Sequence, residues 1–337
     1  MSRKTLFSLM LSALFLWAAS PASAAPATKL TIAMGDPESS EMGIVGNAFK
    51  KYVEEKTDGA IEVQCIYGAS LGDDEGERFR RVQKGTLDMA LGGVANLVPL
   101  EKKLGLLTLP YLFVNLNDVI AGTNGAPADL LNIYASEAGL RVLTWTYTGF
   151  RYISNSQHPI KNLTDMKGLK MRVPQSAVMI ATYKAFGAIP SLIPWTSTFQ
   201  ALQSGEVDGQ CYGYIGFRAM KFNEANQKYL TEVHYTYPLQ PLVISTRVFD
   251  KFSPDTQKIL IDAGKHAQEE VLKFQIEQAG AAKRELIASG LQVFQLSDED
   301  EWRKVAFEKV WPEMADFVGG KDIINAYLKA CGKSPWE

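Results

Sequence analysis

The sequence predicts an α/β protein of two lobes, joined by crossing strands and by one long helix shared between them. Three observations carry that expectation. Residues 29–91 alternate strand and helix patterns in a β-α-β-α-β rhythm, which implies a parallel sheet covered by helices. A second set of such elements begins near Gly149. Helical apolar spacing then runs from Pro254 to near Gly290, and about 36 residues of helix would span about 54 Å, more than one small domain. With 337 residues, 46% hydrophobic and 21% charged, the chain is long and apolar enough for two cores.

The elements follow in order. Residues 29–34 read as a buried strand. Residues 42–57 have helical spacing through Val45, Phe49, Tyr52 and Val53, and end at Asp58-Gly59. Residues 60–67 form a second strand, the charged stretch 73–84 an exposed helix closed by Gly85, and 87–91 a third strand. Residues 104–113 are a buried loop or short strand, 117–139 are largely helical, and 140–147 are a strand. The second set holds strands at 151–154, 170–173, 191–193 and 209–214, with helices at 177–186 and 197–204. Residues 235–247 read as a strand returning to the first sheet. Ser253 then suits a helix N-cap and Pro254 the first helical position. A strand at 292–295 and a C-terminal helical hairpin finish the chain. The expected division is lobe I at 25–149 plus 235–265, lobe II at 150–234 plus 290–337, and the shared helix at 254–289.

The first 24 residues read as a signal peptide. Arg3 and Lys4 are a basic start, residues 6–19 an uncharged apolar run, and Ala22-Ser23-Ala24 a cleavage site. Cleavage near Ala24/Ala25 takes two of the 35 basic residues and leaves 33 against 37 acidic, a net charge near −4. The mature protein is therefore expected in the periplasm, not embedded in the membrane. An acidic shell argues against nucleic acid as a partner. Cys65, Cys211 and Cys331 lie too far apart for a zinc or haem motif, and no cofactor or metal is expected. One disulfide can form, but small buried apolar roles suit all three cysteines better.

The most informative stretch is 168–176, Gly-Leu-Lys-Met-Arg-Val-Pro-Gln-Ser. It sets Arg172 in an apolar strand that ends at Pro174. A guanidinium is always charged, is costly to bury alone, and grips a carboxylate or sulfonate with two parallel hydrogen bonds. The competing reading is a structural ion pair. Arg151, in Thr-Gly-Phe-Arg-Tyr, is a second anion contact or a hinge salt bridge. Trp195, Tyr212 and Tyr214 either wall a small pocket or pack a core. Ser39, Ser40, Glu41 and Asn96 follow first-lobe strands, where loops face such a cleft. Asp74 heads a helix and Gln210 opens a strand; both are candidate ligand contacts, although capping explains Asp74 as well. Asp208 orients an arginine or caps its turn. Gly68-Ala69-Ser70-Leu71-Gly72 matches a nucleophile elbow, but one strand alone precedes it and His158, His234 and His266 are poorly placed as bases.

Residues 163–174 (Leu-Thr-Asp-Met-Lys-Gly-Leu-Lys-Met-Arg-Val-Pro) and 201–210 (Ala-Leu-Gln-Ser-Gly-Glu-Val-Asp-Gly-Gln), with weaker support from 68–74 and 79–88, resemble the dicarboxylate-binding (DctP) type of solute-binding proteins of TRAP transporters, the tripartite ATP-independent periplasmic transporters. The resemblance covers essentially the whole mature chain. It implies a two-lobed periplasmic binding protein fold, with Arg172 on the arginine that grips the ligand carboxylate. It further implies Arg151 as a second pocket arginine, Trp195 as an aromatic wall, and Glu41 and Asn96 as first-lobe contacts. Cys211 and Tyr212 stand where many members have Glu-Asn, which implies a cramped pocket. The expected function is capture of a small organic anion, a short carboxylate or a small sulfonate such as isethionate, and its delivery to TRAP permease subunits. A sensory ligand-binding module and an exported serine hydrolase using Ser70 are the alternatives.

Overall fold

A computed structural model describes residues 28–68, 74–296 and 299–337. The expected signal peptide and Ser70 lie outside the described residues.

The chain opens with β1 (Thr28–Met34), α1 (Glu41–Lys56), β2 (Ile61–Ile66), α2 (Glu75–Lys84) and β3 (Met89–Leu91). β1 pairs in parallel with both β2 and β3, as the alternating rhythm requires. A 3-10 stretch (Lys102–Thr108), α3 (Leu116–Gly122) and α4 (Gly125–Glu137) lead to β4 (Leu140–Tyr147). Then come β5 (Tyr152–Asn155), β6 (Lys170–Val173), α5 (Ala177–Ala185), β7 (Ile189–Leu192), α6 (Thr198–Ser204), β8 (Gly209–Tyr212), α7 (Tyr214–Ala219) and β9 (Tyr229–Glu232). The chain returns through β10 (Leu239–Ser245) and α8 (Thr246–Phe249) to α9 (Pro254–Ala288), and ends with β11 (Gln292–Gln295), α10 (Glu299–Val305), α11 (Trp311–Met314) and α12 (Lys321–Ala330). The return strand expected at 235–247 is β10 of the first sheet, and β9, which precedes it in the second sheet, was not anticipated. The strand read through Tyr214 stops at Tyr212, and α7 was not anticipated.

The first sheet runs β2-β1-β3-β10-β4 and the second β11-β9-β5-β8-β6-β7. β10 is antiparallel to β4 in the first sheet, and β5 is antiparallel to β9 in the second. The segments β4–β5 and β9–β10 therefore cross the waist together, and Arg151 N donates to Thr236 O at 3.0 Å between them.

The shared helix α9 has 35 residues, about 52 Å of rise. Its buried face changes partner along its length. Leu260, Ala263, Ala267 and Val271 pack with Val45 and Phe49 of the first lobe. Ala282 and Leu286 pack with Phe217 and Leu230 of the second. A rigid element anchored in two cores limits how the lobes can move, and leaves rotation about the crossing strands as the soft motion.

The C-terminal assignment needs correction. Residues 290–337 were expected with lobe II, and β11 does pair with β9, while Trp302 and Ala306 sit in the second sheet's core. One π turn later the chain has left that lobe. Trp311, Val318, Ile324, Tyr327 and Leu328 pack with Leu131, Tyr134 and Val119 of the first. Polar ties hold the segment there: Trp311 Nε1 donates to Pro110 O at 2.9 Å and Tyr327 OH to Gly122 O at 2.8 Å. The amphipathic pattern predicts the helices but does not say which apolar surface they cover.

Candidate functional site

Arg172 sits at the centre of β6 between Met171 and Val173, which fill the second-lobe core. Strand alternation sends its side chain to the opposite face. The residue is 5% exposed. Its Nε donates to Ile193 O at 2.9 Å, and its guanidinium carbon stands 5.3 Å from the Trp195 ring centre. Among the described residues no carboxylate lies within 4 Å of it. Burial, with Arg151 nearby, pulls its pKa down to about 10, so it keeps its charge at neutral pH. A buried cation without a protein counterion is an unmet electrostatic demand.

Arg151 enters from the crossing segment just before β5. Its Nη1 donates to Cys211 O at 3.0 Å, and its guanidinium carbon lies 5.0 Å from the Tyr212 ring. Trp195 and Tyr212 stack at 4.9 Å with planes 20° apart. Each guanidinium thus lies over one ring of a stacked pair, a favourable arrangement for a desolvated cation. Tyr212 fits because Gly216 lies beneath it: a Cβ there would come within 1.6 Å of the Tyr212 ring.

The first lobe answers with a carboxylate. Asp36, in the loop after β1, accepts from Trp195 Nε1 at 2.6 Å and from Tyr212 OH at 3.0 Å. Gly35 permits the approach, since a Cβ there would sit 3.1 Å from Trp195 and 2.9 Å from the Arg78 guanidinium. Burial and the Glu75 carboxylate push the Asp36 pKa up to about 6; hydrogen bonds from Tyr212 and Trp195 work against the rise.

These residues enclose a cavity of about 40 Å³ between the lobes, lined by Arg151, Arg172, Trp195 and Tyr212 from the second lobe and by Glu75, Asn96, Met42 and Gln240 from the first. Apolar walls come from Val94, Leu107, Pro174, Met179 and Leu239. An adjoining recess of about 50 Å³ reaches Asp74, Gln175 and Pro194. An apolar cleft with two guanidiniums can desolvate one acid head and bind it through charge-assisted hydrogen bonds.

Of the residues expected from sequence, Arg172, Arg151, Trp195, Tyr212 and Asn96 meet at this cavity, and Asp74 lines only the recess. Asp74 also caps α2, accepting from Glu77 N at 2.7 Å. Three expected contacts do not line the cavity. Ser40 caps α1, accepting from Gly43 N and donating to Pro37 O. Gln210 lies further down β8, where its Nε2 donates to Ser154 Oγ at 3.1 Å. Glu41 is buried behind the wall with neither carboxylate oxygen hydrogen-bonded, and burial pushes its pKa up to about 8. Asp208 orients no arginine; it accepts from Lys170 N at 2.8 Å. The thiols of Cys65, Cys211 and Cys331 are all free. Asp36, Glu75 and Gln240 were missed. Asp36 carries no motif, and its place two residues past the first strand, at the strand's carboxyl end, was the available signal.

Comparison with known proteins gives the family and the fold. Residues 32–316 match the family model described as bacterial extracellular solute-binding protein, family 7 (DctP). A solute-binding protein of Verminephrobacter eiseniae is 34% identical over 72% of each chain. The C4-dicarboxylate-binding protein DctB of Bacillus subtilis is 30% identical over 87% of this chain and 83% of its own. A TRAP periplasmic solute-binding protein from a Polaromonas species, solved with D-erythronate bound, superposes with a TM-score of 0.83 at 29% identity, covering 89% of this chain and 98% of that one. These relatives bind solutes and are not enzymes. The two α/β lobes, the shared helix and the match over most of the chain establish that this protein belongs to the DctP family of TRAP-type solute-binding proteins.

Proposed function

We propose that this chain captures a small organic acid between its lobes, with Arg172 holding the anionic head, and delivers it to the membrane subunits of a TRAP permease. The observation that carries the reading is the buried Arg172 guanidinium, whose terminal amines have no protein carboxylate within reach among the described residues. Arg151 adds a second positive charge, and Trp195 and Tyr212 supply the wall against which a short carbon chain packs. The cavity's small volume favours a short carboxylate or a small sulfonate such as isethionate over a bulky sugar acid. The acid head satisfies the guanidinium fork in either case.

Capture works by closure. Bound solute bridges second-lobe cations and first-lobe polar groups, and so shifts the population toward the closed form. Asp36 reinforces that form, because its hydrogen bonds to Trp195 and Tyr212 exist only when the lobes meet. No helix among the described residues is long and apolar enough to cross a membrane. On this reading the mature protein works in the periplasm after cleavage near Ala24/Ala25.

A thermal-shift screen of short carboxylates and sulfonates tests the reading, since a ligand bound only by the folded form raises the melting temperature. Calorimetry on the best hit should then show binding lost in Arg172→Ala. Retention of near-native affinity by that variant would overturn the proposal.

A further inference from the structure

Among the described residues Glu75 is the one acidic side chain lining the main cavity, and the capture of an acid does not use it. It is the first residue of α2, 7% exposed, at a helix N-terminus that favours negative charge. Its Oε2 accepts from Gly93 N at 3.3 Å and from the Asn96 side chain. Among the described residues no hydrogen bond reaches its Oε1. Its nearest charged neighbour on α2, Arg78, keeps a partner of its own and does not line the cavity. Asp36 stands behind the Trp195–Tyr212 wall with both oxygens engaged. Among the described residues the charges that face the cavity are therefore Arg151, Arg172 and Glu75, a net of one positive charge.

We propose that Glu75 selects a short monoanion carrying a hydrogen-bond donor, a hydroxyl or an ammonium, at the end remote from its acid group, and rejects dicarboxylates. The inference rests on Arg172 holding the acid head. One negative charge neutralises the lining. A second carboxylate would lie against Glu75 in a water-poor site, where like charges repel strongly. A plain alkyl tail would strip water from Glu75 Oε1 and give nothing back, the situation in which polar pockets discriminate best. A donor on the tail meets that oxygen.

Calorimetry with end-substituted acids of three to five carbons tests this. In the four-carbon set the tail is methyl in butanoate, hydroxymethyl in 4-hydroxybutanoate, ammonium in 4-aminobutanoate and carboxylate in succinate. At the best chain length the hydroxy or amino acid should bind at least about tenfold more tightly than the alkyl acid, and the dicarboxylate most weakly. The preferred donor tells hydroxyl from ammonium. Glu75→Gln should raise dicarboxylate affinity at least about tenfold and level the ranking. A native protein that binds succinate as tightly as 4-hydroxybutanoate, or that binds none of the set, overturns the proposal without any variant. So does an unchanged ranking in Glu75→Gln. Arg172→Ala separates the two ideas. If it abolishes binding of every acid while tail chemistry makes no difference, only the selectivity fails. If acids still bind to it, the capture reading fails.

Discussion

The two walls of the cleft are built from opposite materials. The second lobe supplies two guanidiniums and two stacked rings from the crossing segment before β5, from β6 and β8, and from the Trp195 turn. The first supplies Asp36, Glu75 and the amides of Asn96 and Gln240 from loops, a helix start and β10. The second-lobe wall is pinned by strands and core, and presents a fixed positive site. The first-lobe wall rests on loops, a helix start and β10, and it touches that site through Asp36 and through Gln240, whose Nε2 donates to Tyr212 OH at 3.4 Å. Under the proposed function the difference divides the roles: one lobe would hold the anion, and the other would sense that it is held. A cleft with two acidic or two basic walls would repel itself on closing. This one gains on closure, and an anion at Arg172 offsets the net positive charge that faces the cavity.

The sharpest way to break this comparison is to change the fixed wall. Arg172→Ala should cost about 3–5 kcal/mol of binding, the usual loss when a buried ion pair is broken, or roughly two to three and a half orders of magnitude in affinity. Arg172→Lys should lose most of that too, because the fork is gone. Arg151→Lys should cost far less, within about tenfold by calorimetry, because Arg151 is tied to Cys211 O and not left open. Equal losses from the two lysine variants would erase the distinction drawn between the arginines.

Next comes the sensing wall. Asp36→Ala removes two hydrogen bonds to a charged acceptor, each worth about 1.5–3 kcal/mol before compensation. Affinity should fall about ten- to hundredfold, with small-angle scattering showing a wider liganded particle. A variant that closes normally would make Asp36 a bystander.

A smaller effect concerns Glu41. Burial raises its pKa to about 8 in the folded chain, against 4.5 as the ordinary value. The folded form therefore binds its proton more tightly than the unfolded form does. That contribution to stability is fully present below about 4.5 and is lost as pH rises through about 8. Melting temperature should decline over this window, and Glu41→Gln should flatten the decline and gain about 1–3 kcal/mol at the alkaline end, the cost of an unsatisfied buried group. A parallel decline in the variant would remove Glu41 as its source. The smallest change is expected from Cys211→Ser, because Arg151 bonds the backbone carbonyl of Cys211 at 3.0 Å and touches its sulfur only at 3.7 Å; affinity should stay within about twofold.

Legibility in the sequence followed the same division. The fixed wall was readable. An arginine inside an apolar strand ending at proline has few explanations, and Lys170–Val173 is a strand with Arg172 buried in it. The shared helix was readable because Ser253-Pro254 and a long apolar period mark it locally. The sensing wall was not. Asp36 is one polar residue in a loop, and its partners stand 159 and 176 residues away. Glu75 was hidden by the helix-capping pattern it belongs to. Ser40 showed the reverse error, since a polar residue in a strand-to-helix loop reads as a contact when its hydroxyl is spent on the cap. The C-terminal helices were legible as helices, but the surface they cover is a non-local choice that periodicity does not record.

The most direct test is a crystal structure of the protein with its tightest-binding acid. The acid head should lie at about 2.7–2.9 Å from the terminal amines of Arg172, with Asp36 still bridging to Trp195 and Tyr212. A structure in which Glu75 swings over to neutralise Arg172, with the acid bound elsewhere, would contradict the account.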